Sequence, residues 1–183
     1  MVAHDFAKFV ESQQSAAAET KVDWAAVRDE WLAYLDSLHR QVIGFLGEYV
    51  NAGSLSYSFS EVQLTEEDIG TYSAKRMDIK IGRQYVRLEP VGRIFIGCRG
   101  RVDVVGAAGR AQFILVGDKA KTAADLFKVT VTVGTGKIIP APPPPPVQSA
   151  SWAWKIVTHT GQRRLLDLEQ ESFFALLMEI ANA

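Results

Sequence analysis

Residues 76–116, RMDIKIGRQYVRLEPVGRIFIGCRGRVDVVGAAGRAQFILV, decide the fold. Short apolar stretches alternate with polar residues, and Gly82, Gly92, Gly97, Gly100, Gly106 and Gly109 punctuate them, with Pro90 just before one of the turns. Strands of about five to seven residues joined by such short turns are antiparallel neighbours, because a parallel crossover needs roughly a dozen residues or more. The stretch therefore predicts a β-meander. Its period of two assigns faces: Met77, Ile79, Ile81, Val86, Leu88, Ile94, Ile96, Val102 and Val104 inward, and Arg76, Asp78, Lys80, Arg87, Phe95, Arg101 and Asp103 outward. A slip of one residue would invert any of these strands.

Towards the N-terminus the same alternation continues in Leu55, Tyr57 and Phe59, spaced by serines. Between them and the meander, Thr65-Glu66-Glu67-Asp68 has the form of a capping box opening a short helical turn. Before Gly53 the period is helical. Phe6, Phe9, Val10, Ala16 and Ala17 outline a first helix. A stronger one follows, with Thr20 and Asp23 as candidate N-caps and Val27, Trp31, Tyr34, Leu38, Val42, Phe45 and Tyr49 along one stripe. Gly44 and Gly47 weaken its last turns, through a close backbone approach or fraying. Its apolar arc, widened by Leu35 and Leu46, exceeds one sheet contact, so a homodimer through helix 23–51 is an expectation.

Towards the C-terminus further strands are expected at about Leu126–Val133 and Trp152–Thr158. Between them Pro140 and Pro142–Pro146 bar ladder formation; the seven residues 140–146 in polyproline II extend about 22 Å, and a stiff surface connector accounts for them. The last element is a helix with Asp167 as N-cap, Gln170 three residues on, and Phe173, Leu176, Leu177 and Ile180 as the stripe that docks on the sheet. Together these give a single α+β domain over 1–183. Its antiparallel meander sheet, of about six to eight strands, packs with two N-terminal helices and one C-terminal helix. The parts are a helical 1–52, a meander over 54–134, a Pro-rich surface loop at 135–150, and strand plus helix in 151–183.

A formal net charge of −1 hides segregation. Residues 1–74 carry 12 acidic and 4 basic side chains, and residues 75–110 carry 9 basic and 3 acidic. Such asymmetry speaks to partners. The basic sheet face, with Lys80, Arg83, Tyr85, Arg87, Arg93, Phe95, Arg99, Arg101 and Arg110, is the candidate binding site for an acidic protein or a nucleic acid, arginines meeting phosphates and rings meeting bases. The competing expectation is that this charge is neutralised within the chain by the acidic helices.

Nothing in the sequence forms a catalytic, cofactor or metal motif. His4, His39 and His159 lie in different elements, no GxSxG elbow occurs, and the GxxG at Gly97–Gly100 lacks the Lys-Ser/Thr of a phosphate loop. Cys98, the single cysteine, fits a reducing compartment and reads as a small hydrophobe in a strand. No apolar run approaches the roughly 20 residues of a membrane span, and the charged N-terminus is unlike a signal peptide, so the expected location is the cytoplasm. Trp152, Trp154 and Ile156 share a strand face as core residues do.

The strand-turn-strand beginning Gly100-Arg101-Val102-Asp103-Val104-Val105-Gly106 resembles that of the PD-(D/E)xK nucleases over about fifteen residues. That family uses an Asp, a later Glu and a Lys around Mg²⁺. Here Gln112 and Ile114 stand where the second carboxylate and the lysine would be, so pairing of Asp103 with Arg101, Arg110 or another cross-strand cation is the simpler expectation. The span Arg76–Val105, with Trp154-Lys155-Ile156 and the closing helix, also resembles small bacterial proteins of unknown function, a resemblance that implies no activity. The resulting expectation is a non-catalytic binding protein without cofactor or metal, of the type found among bacterial immunity and defence accessory factors; the alternative is a degenerate metal-dependent nuclease.

Overall fold

The computed structural model describes residues 22–93, 98–122, 151–157 and 164–181. Helix α1 (Trp24–Asn51) leads into strands β1 (Leu55–Glu66), β2 (Gly70–Ile81), β3 (Gln84–Gly92), β4 (Gly100–Val105), β5 (Arg110–Gly117), β6 (Trp152–Val157) and β7 (Leu165–Asp167), and helix α2 (Gln170–Ala181) closes the chain. Among the described residues the sheet has seven strands in purely sequential order, every pair antiparallel. The α+β class and the meander are as expected. Two helices lie among the described residues; the expected first helix, the strand at 126–133, the proline run, Phe95 and the inward-assigned Ile94 and Ile96 lie outside them. No described helix is long and apolar enough to cross a membrane.

Both helices pack on one face of the sheet. Met77, Ile79, Val86, Leu88, Val102 and Val104 are fully buried there, as the alternation predicts, while Ile81 is half-buried. Asp23 caps α1 by accepting from the Ala25 and Ala26 amides at 3.1 and 3.0 Å. Trp31, Leu35, Leu38, Val42 and Leu46 carry the helix onto the sheet. The rest of its wide arc meets α2: Phe45 lies 5.8 Å from Phe173 and Tyr49 lies 5.6 Å from Phe174 between ring centroids. The apolar excess is thus largely covered within the chain. Gly44 and Gly47 neither fray the helix, which runs on to Asn51, nor admit a neighbour, since nothing lies within 4 Å of a Cβ built on either.

Two close approaches set the helix–sheet distance. A Cβ on Gly100 would lie 2.1 Å from Trp31 Cζ3, and one on Gly106 would lie 2.2 Å from the Ile180 carbonyl oxygen. The second approach also satisfies the end of α2, because the Ala108 amide donates to that carbonyl at 2.9 Å.

Two local expectations are corrected. Thr65–Asp68 does not open a helical turn: β1 runs through Glu66 and pairs with Gly70 of β2, so the segment is the tip of a hairpin. Glu66, at that tip, accepts from Tyr72 Oη and from the Arg93 amide. Asp167 is not the cap of α2 either. It ends β7 and accepts from Lys155, whose side chain is buried. The helix starts three residues later, with Ser172 Oγ accepting from the Glu169 amide and donating to the Asp167 carbonyl.

The β1–β2 hairpin turns over along its length. Its buried positions are Leu55, Met77 and Ile79 near the sheet but Tyr72 and Ala74 towards the tip, a switch of parity without any break in register. Only Met77–Ile81 of β2 is also paired to β3. Beyond that the hairpin is a two-stranded ribbon, free to take the larger twist such ribbons adopt, and its far half joins the same core as Trp31.

Candidate functional site

The face of the sheet away from the helices carries the predicted charges. Register places Lys80 opposite Tyr85, Asp78 opposite Arg87, Arg87 opposite Val105 and Val105 opposite Arg110, so Lys80, Tyr85, Arg87 and Arg110 lie together on this outer face with Arg101. Arg83 sits in the adjoining β2–β3 turn. Lys80 Nζ lies 5.7 Å from the Tyr85 ring centroid, close enough for a cation–π contact, and Tyr85 is 54% exposed.

The remaining predicted residues are elsewhere. Arg99 lies over the indole of Trp152 at 4.4 Å and bridges to Glu30 of α1 at 2.8 Å, so it belongs to the helix side. The Arg93 amide is bound to Glu66. Phe95 falls outside the described residues. Neutralisation by the acidic helix is correspondingly local: besides Arg99 it reaches Lys75, 3.8 Å from Asp36. Helix α1 occupies the opposite side of the sheet, and among the described residues no helix lies over the outer face.

That face is neutralised in another way. The triplets Arg76-Met77-Asp78, Arg87-Leu88-Glu89 and Arg101-Val102-Asp103 lie on three adjacent strands, each with its middle residue fully buried and its charged pair outward. Arg101 holds Asp103 through two bonds, Nε to Oδ1 at 2.7 Å and Nη2 to Oδ2 at 2.9 Å. Arg76 places Nε and Nη2 each 3.1 Å from Asp78 Oδ2, and Arg87 reaches Glu89 at 3.4 Å. A bidentate Arg–carboxylate pair fixes geometry as well as charge. The spacing Arg-apolar-acid was legible as a sequence signal; summing charge by segment missed it because a sum ignores period.

Asp103 has a carboxylate neighbour. Glu89 stands directly opposite it on β3, and Gln112 opposite it on β5. Like charges so placed repel, and here each is met by the arginine two residues before it. Among the described residues no group of three or more His, Cys, Asp or Glu is arranged to hold a metal ion.

At the β5–β7 end the same outer face is dry. Ile114, Val116 and Leu165 are buried there with Cys98, Ala120 and Val157 against them, and Lys155 is buried among the same strands. Burial pushes the Cys98 thiol up, which suits the expected inert hydrophobe.

On the helix side, His39 is buried between α1 and β1, its ring 5.1 Å from Phe59, with neither ring nitrogen hydrogen-bonded among the described residues. Desolvation lowers its pKa to about 4 against an opposing pull from Asp36, and Lys75 adds to the lowering. No protein-family model, curated protein sequence or solved structure matches the chain.

Proposed function

We propose that the protein is a non-catalytic binding module that docks an acidic protein surface on the outer face of its sheet, at the end formed by the β2–β3 and β4–β5 turns. The observation that carries this reading is the cluster of Lys80, Arg83, Arg87 and Arg110 around exposed Tyr85, on a sheet face with no described helix over it. An aromatic ring amid arginines is the composition of a binding hot spot. The interleaved carboxylates Asp78, Glu89 and Asp103 favour a protein over a nucleic acid, since a phosphate backbone is followed best by an unbroken positive track. A role as an immunity or defence accessory factor fits such a module by analogy of type alone.

Fluorescence anisotropy with a labelled 20-residue polyglutamate and a labelled 20-nucleotide single strand tests the reading. Polyglutamate is expected to bind at low salt and to be lost in Arg83→Glu/Arg87→Glu/Arg110→Glu. Tighter binding of the oligonucleotide, weakening steeply with salt, would move the reading to nucleic acid. Binding of neither probe would refute it. The second reading, a degenerate nuclease, draws on the position of Glu89 opposite Asp103. Mg²⁺-dependent cleavage that disappears in Asp103→Ala would establish it instead.

A further inference from the structure

Among the described residues, strand β1 is one edge of the sheet. It is long, runs Leu55–Glu66 in continuous register with β2, and contains no proline, lysine or bulge. Among the described residues, no backbone group of Leu55–Thr65 on the side away from β2 has a hydrogen-bond partner. Proteins usually blunt such an edge with charge, proline, a bulge or a covering element, because its unpaired N–H and C=O groups template the addition of another strand. Phe59 stands at this edge on the helix side, 43% exposed, with half-buried Tyr57 beside it at 5.8 Å.

We propose that β1 pairs edge to edge with β1 of a second copy of the chain, with the two-fold axis at Ser58. Only the half of β1 that lies in the plane of the sheet can take part, because the hairpin turns over beyond Ser60. That half, Leu55–Ser60, carries no charge, so a copy meets itself without repulsion. An axis at Ser58 sets Tyr57 opposite Phe59 of the second copy, twice, and Ser56 opposite Ser60, twice. Aromatic cross-strand pairs on the core side and hydroxyl pairs on the outer side are both stabilising. Other registers are worse matched. Within Leu55–Ser60 an axis at Phe59 or beyond pairs three residues or fewer, and one at Tyr57 pairs five, as at Ser58, but sets Phe59 against Leu55 and Tyr57 against itself, giving one aromatic pair in place of two. The two outer faces would then join into one continuous surface, independent of what that surface binds.

The test uses the full chain at about 50 µM in sedimentation velocity, together with cysteine cross-linking in a Cys98→Ser background. A residue opposite itself in an antiparallel pair has Cα atoms about 4.5–5.5 Å apart, within disulfide range. Ser58→Cys is therefore expected to cross-link under mild oxidation, and Ser54→Cys to stay monomeric in denaturing electrophoresis. Wild type should sediment at twice the chain mass. Phe59→Lys and Ser58→Lys, both at exposed or edge positions, should each sediment as monomers with an unchanged circular dichroism spectrum. A monomeric wild type, a dimer that survives both lysine variants, or cross-linking at Ser54 rather than Ser58 would overturn the proposal.

Discussion

Two residues carry consequences out of proportion to their size. Gly100 is required by contact, since any β-carbon there would sit inside the Trp31 ring system. Gly100→Ala must displace a fully buried indole or the strand beneath it, and we expect a loss of about 3 kcal/mol in urea unfolding, at the upper end of overpacking costs. His39 contributes to acid sensitivity. Its pKa is lowered from 6.5 to about 4 in the folded chain, so between those values the unfolded chain holds a proton that the folded chain refuses. Its contribution is intact above pH 6.5, declines as pH falls towards 4, and changes no further below that. At full extent the loss is about 3 kcal/mol. His39→Leu should flatten this part of a plot of unfolding free energy against pH. Neither role was legible from the residue alone: a glycine at a turn and a histidine near Asp36 on a helix are both ordinary local patterns.

At the scale of the element, the three Arg-apolar-acid strands differ in how tightly each pair is held. Arg101–Asp103 is bidentate and mostly shielded, whereas Arg87–Glu89 is longer and more exposed. Asp103→Ala should therefore cost about 1–2 kcal/mol and Glu89→Ala no more than about 0.5 kcal/mol, measured by thermal or urea unfolding. Glu89→Ala also relieves the repulsion across β3 and β4, which pushes its net effect closer to zero. Alternation predicted the faces of β2, β3 and β4 correctly at every buried position but Ile81, because a period of two leaves a strand no other way to bury its apolar set. It failed towards the tip of the β1–β2 hairpin, where Tyr72 and Ala74 are buried after the change of parity. Capping patterns misled at Thr65–Asp68, which is the hairpin tip, and at Asp167, whose carboxylate is taken by Lys155.

For the whole molecule, the larger of the two described clusters lies between the sheet and the two described helices, with Phe173 in contact with Phe45, Phe113 and Phe174. Phe173→Ala is expected to cost about 3–5 kcal/mol and to lower the denaturation midpoint measured by circular dichroism. Patterns of period two and 3.6, with turn glycines between, are local properties, and they were enough to establish the meander, helix α1, the docking stripe of α2 and the α+β class. Which side of the sheet the helices cover, and how far a pair of strands twists, depend on contacts between residues distant in the chain. So the grouping of Lys80, Tyr85, Arg87 and Arg110 and the removal of Arg99 to the helix side emerged only once the strands were in register, whereas the Arg-apolar-acid triplets stand in the period-two pattern itself. A count of charges along a chain carries no information about which charges will meet.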